Sequence, residues 1–256
     1  MIQFYNTFLY EPTFNILIWL YNIVPGNDIG IAIILLTIFI KILLFPLSNK
    51  AVKSQKILQD LQPKMEEIKQ KYKDKKEKQA MALMELYKKE KVNPLGSCFP
   101  LLIQFPFLIA VFQVFRNGFN NESLDLVYPF ISRPEMLNPI SFGLVDLSHP
   151  NAVLAVLAGA AQYWQTKILM HKKQPIKTGG AKDENMMSMM NKQMMYFMPI
   201  MTVFIGFSLP GGLTLYWLIT TLLTVAQQKY LFQKKDENKD VLKIGEVKEV
   251  KKNENK

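Results

Sequence analysis

The chain has 256 residues, of which 49% are hydrophobic and 20% charged, and its formal net charge is +10. The apolar and charged residues stand in separate blocks, which is typical of an integral membrane protein and excludes an ordinary soluble domain. The single cysteine, Cys98, excludes an intrachain disulfide and a cysteine zinc site. The isolated His149 and His171 offer no metal cluster, so no cofactor is expected.

Residues 1–28 are apolar but too often interrupted to cross a bilayer. Glu11 and Pro12 break the run, and its longest uninterrupted stretch has eleven residues, whereas a crossing needs about 20. We therefore expect an amphipathic helix at the outer surface, followed by a turn at residues 25–28. The alternative is a sixth span that starts inside, which would leave the lysine-rich loops outside. No basic residue precedes Lys41, so a cleavable signal peptide is not expected.

Five later apolar runs are long enough, or nearly so, to cross a bilayer. They cover residues 29–47, 95–115, 152–168, 194–209 and 213–228. The segments between them alternate between many basic residues and few, with thirteen in 48–93 and two in 116–149. Because basic residues mark cytoplasmic loops, the N-terminus is predicted outside and the C-terminus inside. The predicted fold class is an all-α integral membrane protein with five transmembrane helices.

Residues 48–93 predict a cytoplasmic helical hairpin. Apolar residues recur at helical spacing in two stripes, separated by Asp74, Lys75 and Lys76. Pro63 either kinks the first arm or restarts it. The basic face of the hairpin has two interpretations: it is simply solvated, or it docks ribosomal RNA, anionic lipid headgroups or an acidic partner.

Two other segments are polar. Residues 117–149 contain three interrupting prolines and predict an irregular outer loop with short interfacial helices. Residues 234–256 are rich in Lys, Glu and Asn and lack aromatic residues, which predicts a disordered basic tail in the cytoplasm.

Lys41 is the first candidate functional residue, because it lies inside the first run with no acidic residue in that segment. At about 1.5 Å per residue, it lies roughly 9–13 Å above the cytoplasmic boundary. A lone ammonium at membrane depth costs at least ~2.5 kcal/mol on insertion scales. Two interpretations remain open: the side chain snorkels to the headgroups, or it lines a hydrated groove.

Polar residues of three other runs fall at similar depths. Counting from the cytoplasmic ends places Gln104 at roughly 15 Å, Gln162 at roughly 8 Å, and Thr220 and Thr221 at roughly 13 Å. If these side chains face Lys41, they form a wet groove beneath an apolar outer half. Such a cavity would not conduct ions, but it would suit something that enters from the cytoplasm and leaves sideways into lipid. Spacing alone does not establish that the side chains face one another.

Four motifs carry a resemblance to a known family. They are Lys41-Ile-Leu-Leu-Phe-Pro-Leu47, Leu61-Gln-Pro-Lys64, the run from Asn93 to Pro106, and Leu209-Pro-Gly-Gly-Leu-Thr-Leu-Tyr-Trp217. Together they resemble the bacterial YidC-type membrane protein insertases of the YidC/Oxa/Alb superfamily, over nearly all of residues 1–233. The resemblance implies a minimal member with an outer helix at 1–28, an insertase core at 29–233, and a groove open to the cytoplasm and the lipid.

The resemblance also implies particular groove residues. The family carries an arginine at the position matching Lys41, so this chain keeps the charge but lacks the bidentate fork that matches a carboxylate. Further groove positions look like Gln104, Gln165 and Trp217. Here the resemblance favours Gln165, whereas the depth count selects Gln162.

The function that the resemblance implies is binding without covalent catalysis or ATP hydrolysis. Short polar segments of nascent membrane proteins would enter the groove, and their apolar helices would leave into the bilayer of the cell membrane. The expected partners are nascent membrane proteins and membrane lipids, with the ribosome through the hairpin and tail and the Sec translocon as further candidates. The alternative class is a small-solute transporter or channel in which Lys41 binds an anion.

Overall fold

The computed structural model describes residues 2–93, 99–117, 121–169 and 195–254, and these residues are mostly helical. The predictions that concern Cys98 and His171 fall outside the described residues. In chain order the helices are α1 (Ile2–Tyr5), a π-helical turn (Asn6–Tyr10), α2 (Glu11–Ile23), α3 (Ile29–Leu43), α4 (Phe45–Lys71), α5 (Lys76–Lys89), α6 (Phe99–Asn117), a 3₁₀ helix (Asn121–Leu126), α7 (Ala152–Leu169), α8 (Met195–Gly206) and α9 (Gly211–Glu254).

The described helices differ from complete membrane spans in length or composition. Within the ranges given above, no single helix is both long and apolar enough to cross a membrane. Helices α3 and α4 meet both requirements only as a pair, and their axes differ by 72° across the break between them. Two apolar helices, Gln104–Arg116 within α6 and Met195–Gly206, are shorter than a span.

The N-terminal helices present apolar side chains both to the surface and to the core. Phe8 and Trp19 are exposed, whereas Phe14 and Ile18 are fully buried. The assignment of this segment as an amphipathic outer helix stays a prediction. Pro12 lies in the first turn of α2, where its missing N–H leaves no hydrogen bond unmade. The buried face packs against α3 and α6, so this segment contributes to the main core as well as to the surface.

The main hydrophobic core lies where α2, α3, α6 and α9 meet the outer loop. Asp28 starts α3: its Oδ1 accepts hydrogen bonds from the backbone N–H groups of Gly30 and Ile31. Helix α7 packs along α9 and approaches α8 closely at two glycines. A Cβ at Gly159 would lie 2.4 Å from Val203, and one at Gly206 would lie 2.8 Å from Ala155, as in many membrane helix pairs that pack through small residues.

The helical hairpin that the sequence predicts in the cytoplasm begins earlier in the structure than at residue 48. Helix α3 ends at Leu43 and α4 begins at Phe45, so the last residues assigned to the first run, 29–47, belong to the hairpin. The reason is the turn at Leu44, which apolar composition alone does not reveal. Pro63 lies inside α4 and does not restart the helix. A turn at 72–75 joins α4 to α5, where the sequence predicts the two arms to separate.

Residues 234–254 are helical as the continuation of α9. The disorder that composition predicts for this tail stays a prediction. Composition predicts disorder because the tail cannot bury a core, but Lys and Glu are good helix formers. A helix that is already nucleated by the preceding residues extends through such a sequence at low cost.

The segment between α6 and α7, which the sequence predicts as an outer loop, contains a small β-hairpin that was not predicted. Strands β1 (Ile140–Ser141) and β2 (Val145–Asp146) pair antiparallel. The turn between them places Phe142 and Gly143 at positive φ. Immediately afterwards, the carbonyl oxygens of Leu147 and His149 accept hydrogen bonds from the backbone N–H groups of Gly212 and Gly211. The loop therefore satisfies the first free amides of α9.

Candidate functional site

A polar stripe follows one face of α9 over residues 220–227. Thr220, Thr224 and Gln227 are four and three residues apart, which places them on the same side of a helix. This side meets α3 and the beginning of α4. We call Lys41, Thr224, Gln227, Ser48 and Asn49 the polar seam, because hydrogen bonds link these residues between the three helices.

Lys41 is partly buried and has a neutral partner. Its Nζ donates a hydrogen bond to Oγ1 of Thr224, at 2.8 Å. The Thr224 hydroxyl in turn donates to the carbonyl oxygen of Thr220, at 2.7 Å. Among the described residues, no ion pair includes Lys41. In the described part of the chain, a neutral hydroxyl and not a carboxylate therefore faces the end of the Lys41 side chain.

Thr220 and Thr221, which the depth count selects, are both buried on α9. The Thr221 hydroxyl donates to the carbonyl oxygen of Trp217, at 2.9 Å. The hydrogen bond from Lys41 instead reaches Thr224, one turn further along α9 than Thr220. Depth counting missed Thr224 because it locates the Cα atom of Lys41 and not the end of its long side chain.

Gln104 contacts a different partner. Its Nε2 donates a hydrogen bond to the phenol oxygen of Tyr216, whose side chain is fully buried. This contact joins α6 to α9, and Gln104 makes no hydrogen bond to Lys41. Sequence reasoning did not identify Tyr216, although it belongs to the same motif as Trp217.

The remaining predicted groove residues are near α9 without binding Lys41. Gln162 and Gln165 are partly buried on α7, which packs along α9. In the described part of the chain, neither amide side chain hydrogen-bonds Lys41. Trp217 is partly buried on α9. Their membership of a groove stays a prediction.

The polar seam continues into the hairpin. Gln227 Nε2 donates to Ser48 Oγ at 2.9 Å and to Asn49 Oδ1 at 2.6 Å. Two turns further along α4, the Lys56 ammonium lies 5.0 Å from the centroid of the Phe232 ring, within cation–π range. The first arm of the hairpin is thus attached to α9 by polar contacts that begin at Ser48, seven residues after Lys41 in the chain.

The same arm also contacts α7. Gln59 is buried, and its Nε2 donates to the carbonyl oxygens of Ile168 and Leu169, at 3.2 and 2.8 Å. These carbonyls belong to the last turn of α7, where backbone acceptors lack partners within the helix. The second arm has no buried residue.

Large apolar side chains cover much of the outside of the helices. Exposed apolar surface of this kind marks contact with lipid or with another protein. The exposed side chains on α3, α7 and α8 include Leu35, Phe39, Ile42, Leu43, Val153, Val156, Leu157, Trp164, Ile200, Phe204 and Ile205.

Comparison with known proteins identifies the family. The sequence model of the family described as 60Kd inner membrane protein matches residues 19–239. The chain belongs to this family. Its resemblance to the YidC-type insertases, inferred from the four motifs, is thereby confirmed, and this YidC-family chain is a protein of the cell membrane.

Two relatives show how much of the family the chain represents. It is 38% identical over 208 residues to the membrane protein insertase YidC of Fusobacterium nucleatum, covering 81% of this chain and 88% of that protein. It is 35% identical over 231 residues to the membrane protein insertase YidC of Tolumonas auensis, covering 90% of this chain but 37% of that protein. The chain therefore matches one relative nearly throughout and about a third of the other. Relatives of this YidC-family chain are named insertases, and the family is not one of catalytic enzymes.

Proposed function

We propose that the chain is a membrane protein insertase in which Lys41 attracts short polar or acidic segments of nascent membrane proteins. The observation that carries this proposal is the Lys41 ammonium, which is partly buried between α3 and α9 with a hydroxyl partner at 2.8 Å. An unneutralised charge at such a site is costly and is usually retained for a function. The names of the relatives support the same reading.

The proposed topology has five spans, with the N-terminus outside and the C-terminus in the cytoplasm. The five proposed spans are the apolar runs that correspond to α3, α6, α7, α8 and the first half of α9. Two observations support it: the alternation of basic residues between the runs, and the apolar side chains that cover the outside of α3, α7 and α8. In this topology the polar seam lies in the cytoplasmic half.

The proposed mechanism uses binding energy alone. The Lys41 ammonium has three N–H donors, and one is occupied by Thr224. The other two, with water, lower the desolvation cost of a carboxylate or polar segment that enters from the cytoplasm. The apolar helix of the nascent chain then moves along the exposed apolar side chains of α7 and α9 into lipid, where burial of its side chains supplies the driving force.

The proposed partners follow from the surface of the hairpin. Its second arm has no buried residue and carries basic side chains into solvent, which suits a polyanionic surface such as ribosomal RNA or anionic headgroups. The same groove also suits a chaperone role, in which the chain receives spans that the Sec translocon has already inserted.

The test uses the purified protein in liposomes and a membrane protein substrate with an acidic outer tail. We expect Lys41→Glu to lower insertion by roughly tenfold or more, because a like charge near 4 Å costs several kcal/mol at an effective dielectric constant of about 20. Lys41→Arg should insert normally, since it keeps the charge. A matched substrate with a neutral tail serves as the control and should be affected much less.

Unchanged insertion of the acidic-tailed substrate by Lys41→Glu would contradict the role of Lys41. Saturable flux of a small anion through the liposomes, lost in the same variant, would instead favour a transporter.

A further inference from the structure

We propose that Thr224 is a positioning residue for Lys41, which fixes the direction of the ammonium so that its free N–H groups face the entering segment. This inference rests on the proposed insertase function. It goes beyond it because neither the motifs nor the depth count singles out Thr224.

The hydrogen bonds from Lys41 through Thr224 to Thr220 all run in one donor direction. The Thr224 hydroxyl hydrogen is directed at the carbonyl oxygen of Thr220, so only oxygen lone pairs are left to face Lys41. Thr224 can therefore act toward the ammonium only as an acceptor. Its side chain is a β-branched one with restricted χ1 rotation on a helix, which holds the acceptor in place.

The polar side chains at the start of α4 already have hydrogen-bond partners other than Lys41. Ser48 Oγ donates to the carbonyl oxygen of Phe45 and accepts from Gln227. Asn49 Oδ1 accepts a shorter hydrogen bond from the same Gln227 amide. Thr224 Oγ1 is the hydrogen-bond acceptor that the structure gives the Lys41 ammonium, and this bond holds the ammonium between α3 and α9.

The Thr224 hydroxyl is an uncharged partner for the Lys41 ammonium. A carboxylate at position 224 would also hold the ammonium, but it would cancel the charge that attracts an acidic segment. A hydroxyl holds the ammonium and leaves its charge intact. Lysine lacks the two-pronged geometry of arginine, so a single fixed acceptor matters more for its direction.

The experiment compares Thr224→Val with Thr224→Ser in liposomes, with the acidic-tailed and neutral-tailed substrates. Valine keeps the shape of threonine but removes the acceptor, so we expect insertion of the acidic-tailed substrate to fall about fivefold, the equivalent of one hydrogen bond. Serine should restore it. The neutral-tailed substrate should be inserted equally by all variants.

The control is Thr214→Val on the same helix. Thr214 is fully buried, and its hydroxyl donates to the carbonyl oxygen of Pro210. Loss of this hydroxyl reports the structural cost of a valine in α9, and insertion should be unchanged. Thermal unfolding of each variant in detergent shows that it is folded.

The double variant decides between positioning and structure. In a Lys41→Met background, Thr224→Val should cause no further loss, because Thr224 acts only through Lys41. An equal fivefold loss in that background, or no rescue by serine, would overturn the inference. If Lys41→Glu impairs insertion but Thr224→Val does not, the inference fails while the proposed function stands; if Lys41→Glu has no effect, the proposed function itself fails.

Discussion

The amide of Gln104 donates a hydrogen bond to the phenol oxygen of Tyr216, across 112 positions of the chain. The bond joins α6 to α9 at a side chain that is 1% exposed. A residue that depth counting assigns to a groove thus contributes to the packing of two helices. Buried polar groups of this kind are costly unless paired, so the pair has measurable consequences for stability.

We expect Gln104→Leu and Tyr216→Phe each to lower the free energy of unfolding by about 1–2 kcal/mol, since each removes one buried hydrogen bond. The double variant should lose about as much as one single variant, because the same bond is removed. Unfolding by titration with denaturing detergent measures the three values. Fully additive losses would show that the two side chains act independently.

The first turn of α9 depends on a glycine for lack of space. A Cβ at position 212 would stand 2.2 Å from Cε1 of Phe115, in the main core. Overpacking of this kind costs about 1–3 kcal/mol, so Gly212→Ala should unfold at a clearly lower temperature. Adding Phe115→Leu should restore part of the loss, and no restoration would mean that the clash is not the cause.

Asp28 connects the start of α3 to the outer β-hairpin. Partial burial raises the pKa of its carboxyl, but hydrogen bonds from Ser141 Oγ and from the backbone N–H groups of Phe142, Ile31 and Gly30 outweigh burial, so the pKa lies below the ordinary value. A carboxyl with a lowered folded-state pKa contributes stability above its unfolded pKa of about 3.9 and loses it as the pH falls through the folded-state pKa.

We therefore expect Asp28→Asn to be less stable than the unmodified chain at pH 7, with a difference that narrows below about pH 4. Thermal unfolding from pH 7 to pH 3 measures it. Asp74→Asn, in the exposed hairpin turn, is the matched control and should show a small difference throughout. A gap for Asp28→Asn that is constant with pH would contradict the role of its charge.

Gln59 fixes the first arm of the hairpin to the last turn of α7. Gln59→Ala removes two hydrogen bonds to backbone carbonyls, and loss of about 1.4 kcal/mol corresponds to tenfold faster local opening. Hydrogen exchange of the α4 amides should accelerate by about that factor. Gln62→Ala, on the same arm without a bond to α7, should leave exchange unchanged; similar acceleration in both variants would argue against a specific contact.

The sequence predicted the elements better than it predicted their contacts. Periodicity located both arms of the hairpin and the turn between them, because helical spacing is a local property. The bend at Leu44 and the helical continuation past residue 234 were not predicted. The bend depends on what the segment packs against, and the helical continuation depends on the helix that precedes it. Composition records neither.

The candidate site also contains residues that the sequence identified and contacts that it did not. Lys41 stands out from sequence because its charge conflicts with its apolar neighbours. Its bond to Thr224 was not predicted, because a lysine side chain spans more than one helical turn and depth counting locates only the backbone. Tyr216 was missed for another reason: an aromatic residue in an apolar run gives no sign that its hydroxyl has a distant partner.

The second arm of the hairpin has an evolutionary and practical consequence. None of the residues of α5 is buried, and it rests on α4 through contacts such as the exposed Lys64–Glu90 pair. Substitutions at exposed positions of α5 are therefore expected to disturb the folding of the rest of the chain less than substitutions in the buried helices. The turn at residues 72–75 is accordingly the place to insert a fluorescent reporter, since exposed loop tips accept added domains.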